Sequence, residues 1–220
     1  MGGVANYSHN KMKGLQIGGV ANISRTEMKG VQIGGVFNYA TKMHGLQIGL
    51  INISDTSSGY SIGLLNLVNK GYHKIALHSN EVINTNLTLK TGNAKLYSML
   101  IGGIHLDNDE KIYTFGFGLG HDFILSKTLS ISTEISSQYL YLGSWDYLNL
   151  LNRFSPALNV RLGKSISLFA GPVLNIYYSE QDNSFTGYKQ NIPPTQYHTF
   201  DTNNPYVNGW IGWSAGITFF

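Results

Sequence analysis

The chain has 220 residues, 42% of them hydrophobic and only 12% charged, about half the charged share of an ordinary soluble domain. A net charge of +3 with no Lys/Arg cluster excludes a nucleic-acid footprint, and the lack of cysteine excludes a disulfide framework or a thiolate metal site. No run of about 18 apolar residues occurs, which excludes a transmembrane helix and leaves a closed barrel as the other way to satisfy a backbone in lipid.

The N-terminal part is repetitive. Gly14 to Ser24 reads GLQIGGVANIS, Gly30 to Ala40 reads GVQIGGVFNYA, and Gly45 to Ser54 reads GLQIGLINIS. Met1 to Ser8 (MGGVANYS) is the same unit without its first residues, and Ser61 to Val68 (SIGLLNLV) is a degenerate copy. Because the chain starts inside a repeat, it is expected to be a piece of a longer exported precursor. The spacing between units shrinks from 16 to 15 to 14 residues, too short for helical repeats. Within a unit, Leu15, Ile17, Ala21 and Ile23 fall on one face, and Gln16, Gly18, Val20 and Asn22 on the other. The third full copy lacks one residue of the GGVAN stretch, so its second half is expected to change phase, with a bulge absorbing the slip. The polar linkers (9–13, 25–29, 41–44 and 55–58) read as turns. The arrangement stays open between strands of a barrel wall and either a separate hairpin array or a stacked β-solenoid, in which every turn would have the same setting.

Residues 72–79 and 82–90 read as two strands around a turn or one long bulged strand, and Ala94 to Leu106 as a further strand. Four alternating segments follow. Tyr113, Phe115, Phe117 and Leu119 alternate with Thr114, Gly116, Gly118 and Gly120; Leu129, Ile131, Ile135, Tyr139 and Tyr141 alternate with small or polar residues. Phe154, Leu158, Val160 and Leu162 do the same, as do Ile166, Leu168, Leu174, Ile176 and Tyr178. Each predicts a strand with one oily and one wet face, and runs of about ten to twelve residues suffice to cross a bilayer at a tilt. The connections after residue 90 alternate short and long, from 91–93 to the stretch between Ser179 and Val207. Such sidedness is a habit of outer-membrane barrels.

In the last strand Ile211, Trp213, Ala215, Ile217 and Phe219 share one face, and the chain stops at Phe219-Phe220. Here it resembles bacterial outer-membrane β-barrel proteins, whose final strand alternates and ends in an aromatic residue. That resemblance covers roughly residues 80–220 and implies an assembly signal at Phe219 and Phe220, read by the barrel-assembly machinery. The GLQIG units, over roughly residues 1–70, look like surface-repeat proteins of Bacteroidetes and some spirochaetes. The expected fold is therefore all-β, an antiparallel up-and-down transmembrane barrel with about seven strands between residues 82 and 220. The repeats (1–70) and the barrel (71–220) are expected to share one continuous sheet.

If the oily faces meet lipid, Asp122, Glu134, Gln138, Arg153, Asn159 and Arg161 line the interior. There they form either a space-filling charge network or a selectivity constriction, the latter because charged rings tune which solutes pass. Tyr139, Tyr141, Trp145, Tyr147, Trp210 and Trp213 fit an interfacial aromatic girdle. In the long loop, Phe185, Tyr188, Tyr197, Phe200 and Tyr206 lie among amides and hydroxyls, a composition suited to holding a small solute or glycan. His121 and Asp122 point to opposite faces, so they form no dyad, and the scattered histidines have no metal-ligand spacing. No catalytic residue, metal or cofactor is expected. The expected partners are the bilayer, the assembly machinery and a small solute or glycan, and the expected place is the outer membrane of a Gram-negative bacterium. The expected role is a non-enzymatic surface barrel, a small pore or ligand-binding protein; a rim enzyme acting on lipid or peptide and a surface-attached β-repeat adhesin stay open as alternatives.

Overall fold

The computed structural model describes residues 2–107, 110–200 and 204–220. Met1 of the first repeat, 108–109 of one expected connection and 201–203 of the long loop lie outside the described residues. The described residues contain strands and no helix, and they divide into two compact units. The first comprises Met1–Lys74, Lys90–Met99 and Gly120–Asp122; the second comprises Ile75–Leu89, Leu100–Leu119 and Phe123–Phe220.

In the first unit the repeats stack as a β-solenoid. Its strands are β1 (Ala5–Ser8), β2 (Met12–Gly18), β3 (Ala21–Gly34), β4 (Phe37–Ile48), β5 (Ile51–Ser57), β6 (Tyr60–Ile62) and β7 (Leu65–Val68). All pair in parallel, in the order β1-β3-β4-β5-β7, with β2 on β3 and β6 on β4. Equivalent residues lie directly over one another: Gln16 on Gln32 on Gln47, and Asn22 on Asn38 on Asn52. Parallel stacking puts each linker on its counterpart, which is why the linkers can be so alike. The linkers expected as turns are carried within the long strands β3 and β4, while the glycines supply the sharp changes of direction. Gly30 has φ +128°, and a Cβ there would lie 2.0 Å from the Gly14 carbonyl oxygen, so both backbone conformation and coil spacing demand glycine.

The solenoid interior is polar. Asn22, Gln32, Asn38, Gln47, Asn52 and Asn66 are buried. Their side chains form ladders along the stack: Asn22 donates to Asn38 (2.9 Å), Asn38 to Asn52 (2.9 Å), and Asn52 to Asn66 (2.8 Å). Gln47 donates to Gln32 and Gln32 to Gln16, at 2.9 and 2.8 Å. Each asparagine also donates to a backbone carbonyl, as Asn38 does to Ile48 at 2.7 Å, so burial does not leave these amides unmatched. A small apolar cluster of Met28, Ala40 and Met43 completes the interior. Asn52 is 1% exposed, which corrects the expected change of phase: the missing residue falls at the corner between Gly49 and Ile51, and pairing resumes as Asn38 on Asn52 without a slip. Val20, expected on the face of Gln16 and Asn22, instead sits on that corner, exposed. The last coil is closed by residues 90–99, where the Asn66 side chain donates to the Ser98 hydroxyl (3.2 Å) and the Asn66 amide to the Thr91 hydroxyl (3.2 Å).

The second unit holds most of an eight-stranded antiparallel barrel. Its strands are β8 (Tyr72–Asn80), β9 (Thr85–Asn93), β10 (Leu96–His105), β11 (Ile112–Ile124), β12 (Leu129–Tyr141), β13 (Asn149–Leu162), β14 (Ile166–Ser179) and β16 (Val207–Phe219), with a short β15 (Thr199–Phe200) against β16. Neighbours follow chain order from β8 to β14, and β16 closes the ring by pairing with both β14 and β8. The expected single sheet is thus replaced by two, seven-stranded for the repeats and nine-stranded for the rest. One strand beyond the expected seven, β8, completes the barrel. Turns 94–95, 125–128 and 163–165 lie at one end, and the connections that leave Asn80, His105, Tyr141 and Ser179 start at the other.

Alternation sorts the barrel wall inside out relative to a soluble protein. Phe115, Ile135, Leu158, Ile176, Ile211 and Trp213 are between 43% and 66% exposed on the outside. Facing inward and buried are Ser136, Gln138, Arg153, Ser167, Asn175 and Thr218. Because the ladders supply what a soluble core would supply by apolar packing, Asn38→Ala is expected to destabilise the repeat unit. It strips Asn22 of an acceptor and Asn52 of a donor, a cost of about 1–3 kcal/mol. Denaturant titration of the folded chain should show this loss, while Val36→Ala, at an exposed corner, should be far milder.

Candidate functional site

The end of the barrel with the long connections carries the densest set of organised polar groups. Their centre is Glu81, at the tight connection between β8 and β9. Its Oε1 accepts from Asn175 Nδ2 (2.9 Å) and Trp210 Nε1 (3.1 Å), and its Oε2 accepts from the Trp213 amide (2.9 Å). Asn175 passes the interaction on, since its Oδ1 accepts from Arg153 Nε at 3.0 Å. Gly212 makes the close approach feasible, because a Cβ there would lie 2.2 Å from the Glu81 carboxyl group. A buried arginine thus faces a carboxylate through a bridging amide, and an Asn80 side-chain oxygen receiving the Val82 and Ile83 amides (3.0 and 2.8 Å) holds the connection in place.

Beside this relay lies an apolar layer of Val82, Ile83, Ile112, Leu140, Leu151 and Trp210, joined by Tyr177 and Leu142. The long loop folds onto it: Ile192 is buried in the layer and Tyr197 packs against it. Asn149 anchors the loop base, accepting from Ser179 Oγ (2.6 Å) and Tyr177 OH (3.2 Å) while donating to Gln181 Oε1 (2.9 Å). Above the anchor a recess of about 470 Å³ is lined by Tyr177, Gln181, Asn183, Lys189, Tyr206 and Asn208, among others. Its walls offer amides, hydroxyls, the Asp182 carboxylate and the Lys189 ammonium, and Lys189 reaches Glu110 at 3.0 Å. Such a wall can hydrogen-bond a small polar solute. Deeper inside, the Ser214 hydroxyl lies 3.4 Å from His78 Nδ1, yet His78 Nε2 meets the Thr88 hydroxyl (3.0 Å). A nucleophile needs its base oriented by a third group in reach of substrate; this pair reads as interior polar packing.

The residues singled out from sequence divide clearly. Gln138 and Arg153 are buried inside, and Asn159 faces inward to donate to Ser132 Oγ at 3.0 Å. Glu134 is half-buried on β12, opposite Ser155 in register. Asp122 is held in the repeat unit, where it accepts from Lys74 and from Tyr97 OH, both at 3.1 Å. Arg161 does not line the interior. It is exposed at the turn end, donating to the Lys164 carbonyl (2.9 Å) and lying 4.7 Å from the centre of the Phe220 ring. Phe219 and Phe220 are both exposed there.

Most of the aromatics expected in a girdle gather at the opposite end. Trp145 stacks on Tyr139 (5.4 Å, 8°) and packs on Tyr141 (4.6 Å), with Phe115 and Tyr113 beside them. Tyr147 receives the Asn183 side chain on its hydroxyl at 3.0 Å, and Trp213 is 43% exposed on the wall. Trp210 is the exception: it is 0% exposed and faces inward. Its parity with Gly212 and Ser214 carried that information, and bulk alone had suggested the belt. In the loop, Phe185 packs near Tyr147, and Tyr188 meets Tyr141 edge-on at 5.6 Å. Tyr197 packs against the apolar layer, Phe200 and Tyr206 are exposed, and Tyr206 also lines the recess. Glu81 had no sequence signal, because nothing in a turn residue's neighbours tells that its carboxylate meets residues 94 to 132 positions away.

Among the described residues, no group of three His, Asp or Glu side chains is placed to hold a metal. Compared with known proteins, the chain matches no family model, no curated protein and no solved structure. Glu81→Ala is expected to lower stability by about 1–3 kcal/mol, since it orphans three donors at once. The check is a urea titration followed by Trp210 emission, and the double variant Glu81→Ala/Asn175→Ala should lose less than the sum of the single changes.

Proposed function

We propose that this protein is a non-enzymatic outer-membrane β-barrel whose wall lies in lipid, whose interior is filled by side chains, and whose long-loop end receives a small polar solute. One observation carries the reading: rows of Phe, Leu, Ile and Trp point outward and uncovered, while Arg153, Asn175 and Gln138 are sealed inside. In water this arrangement forfeits apolar burial on every strand. In a bilayer it is the favourable one, and the closed ring of strands leaves no unpaired backbone edge in the wall. The outward strands of 13 or 14 residues from β11 to β14 are long enough to span the hydrocarbon region when tilted.

A filled barrel fits better than a pore. Eight strands enclose a space just wide enough for side chains. Here Trp210, Leu140 and Leu151, the polar Arg153, Asn175 and Gln138, and Phe169 with Ala76 and Ala157 are all buried. Ile192 of the long loop joins Trp210, Leu140 and Leu151 in one apolar cluster. Recognition then falls to the recess at the loop end, where Tyr177, Gln181, Asn183 and Asn208 present hydroxyl and amide groups.

The wall assignment is tested by tryptophan quenching in vesicles of acyl-chain-brominated lipid, using variants that keep one tryptophan each. Trp213 should be strongly quenched and Trp210 spared; equal protection of both would overturn the membrane reading. In planar bilayers the purified barrel should conduct no steady current, and discrete channel openings would restore the pore.

A further inference from the structure

The repeat unit shows the same inversion as the barrel, although it is a different architecture. Its interior is lined by Asn and Gln ladders beside the small Met28, Ala40 and Met43 cluster, and a row of its aliphatic side chains points out. The row stacks along one corner: Val4, Val20, Val36, Leu50 and Leu64 are 68%, 45%, 44%, 55% and 45% exposed. A one-residue shift in each strand would exchange the faces and bury the aliphatic rows, so the observed register is favourable only if something apolar surrounds the solenoid. The corner backbone is prepared for that. The Val20 amide donates to the Val4 carbonyl (2.8 Å) and the Val36 amide to the Val20 carbonyl (3.0 Å), so the turn exposes no unpaired N–H at these positions.

The opposite edge is charged. Over the linkers between residues 9 and 58 it carries Lys11, Lys13, Arg25, Lys29 and Lys42 against the carboxylates Glu27 and Asp55. Glu27 pairs with Lys11 at 2.6 Å and Lys29 at 3.2 Å, and the hydrogen bond from Lys11 is the main cause holding its carboxyl down to about 2. From Val20 to Arg25 the strand rises about 17 Å, close to half of a roughly 30 Å hydrocarbon core.

We propose that the repeat solenoid is itself a membrane-inserted element, entering one leaflet corner-first with its Val/Leu edge among acyl chains and its basic edge at anionic lipid phosphates. This goes beyond the barrel reading and stands on the repeat unit alone. The depth matches one leaflet, and the cationic edge matches a phosphate layer. A second protein copy would explain the apolar corner but not the excess of cations opposite it.

The full chain is reconstituted in vesicles of acyl-chain-brominated phosphatidylcholine with phosphatidylglycerol. Two variants lacking native tryptophans carry Val36→Trp or Lys42→Trp, and the chain retaining only Trp213 is the reference. Val36→Trp should be quenched to the same fraction as Trp213, and Lys42→Trp should be spared; Leu50→Trp replaces Val36→Trp if the latter fails to fold. Protection at both corner positions while Trp213 is quenched overturns the inserted solenoid and leaves the barrel standing. Quenching at the corner while Trp213 is protected supports the solenoid and removes the barrel reading. Protection at the corner with concentration-dependent dimers in detergent assigns the surface to a second copy and likewise overturns the proposal.

Discussion

Hydrogen bonding between buried amides is what everything else in the molecule depends on. An asparagine removed from water without a partner costs several kcal/mol at worst. In the repeats each amide of the Asn22–Asn66 ladder both donates and accepts along the stack. In the barrel, Asn175 performs the same service between Arg153 and Glu81. Polar interiors of this kind can exist only where pairing is nearly complete. Once it is, the aliphatic side chains are left for the outer surface, and the surroundings must suit them.

That inversion links the two units through chemistry alone. The solenoid achieves it with identical residues in register, so that one geometry solved once is copied down the stack, with Gly14, Gly30 and Gly45 turning the chain in the same conformation each time. The barrel achieves it with unlike residues, and its interior is consequently a set of separate solutions. One is the Glu81 relay, another the Asn149 anchor under the long loop, and a third the His78 contacts with Ser214 and Thr88.

The proposed function rests on where these solutions end. A barrel interior packed with Trp210, Leu140 and Ile192 at one end has little room for passage. The polar recess above the Asn149 anchor is open and hydrogen-bonding, which is why the proposed solute is assigned to the loop-bearing end. Aromatic residues at the same end, with Trp145 stacked on Tyr139, suit a layer that is oily on one side and wet on the other.

Local periodicity was enough to place the wall. A side chain's face on a strand is decided by parity, so Phe115, Ile135, Leu158 and Trp213 were legible as one exposed row, and Gln138 and Arg153 as the other face. The repeat unit was legible as a unit, but not its stacking: equal turns are compatible with several sheet arrangements, and only parallel pairing of Asn22 on Asn38 on Asn52 selects the solenoid. The missing residue in the third copy also needed the fold, because a corner can absorb what a strand cannot. Arg161 was misplaced because parity says nothing of height along the barrel, and at the turn its side chain finds Lys164 and Phe220. Glu81 and the recess were decided by tertiary structure alone. Their partners come from β13, β14, β16 and the long loop, and no pattern within a dozen residues can encode a meeting set by ring closure.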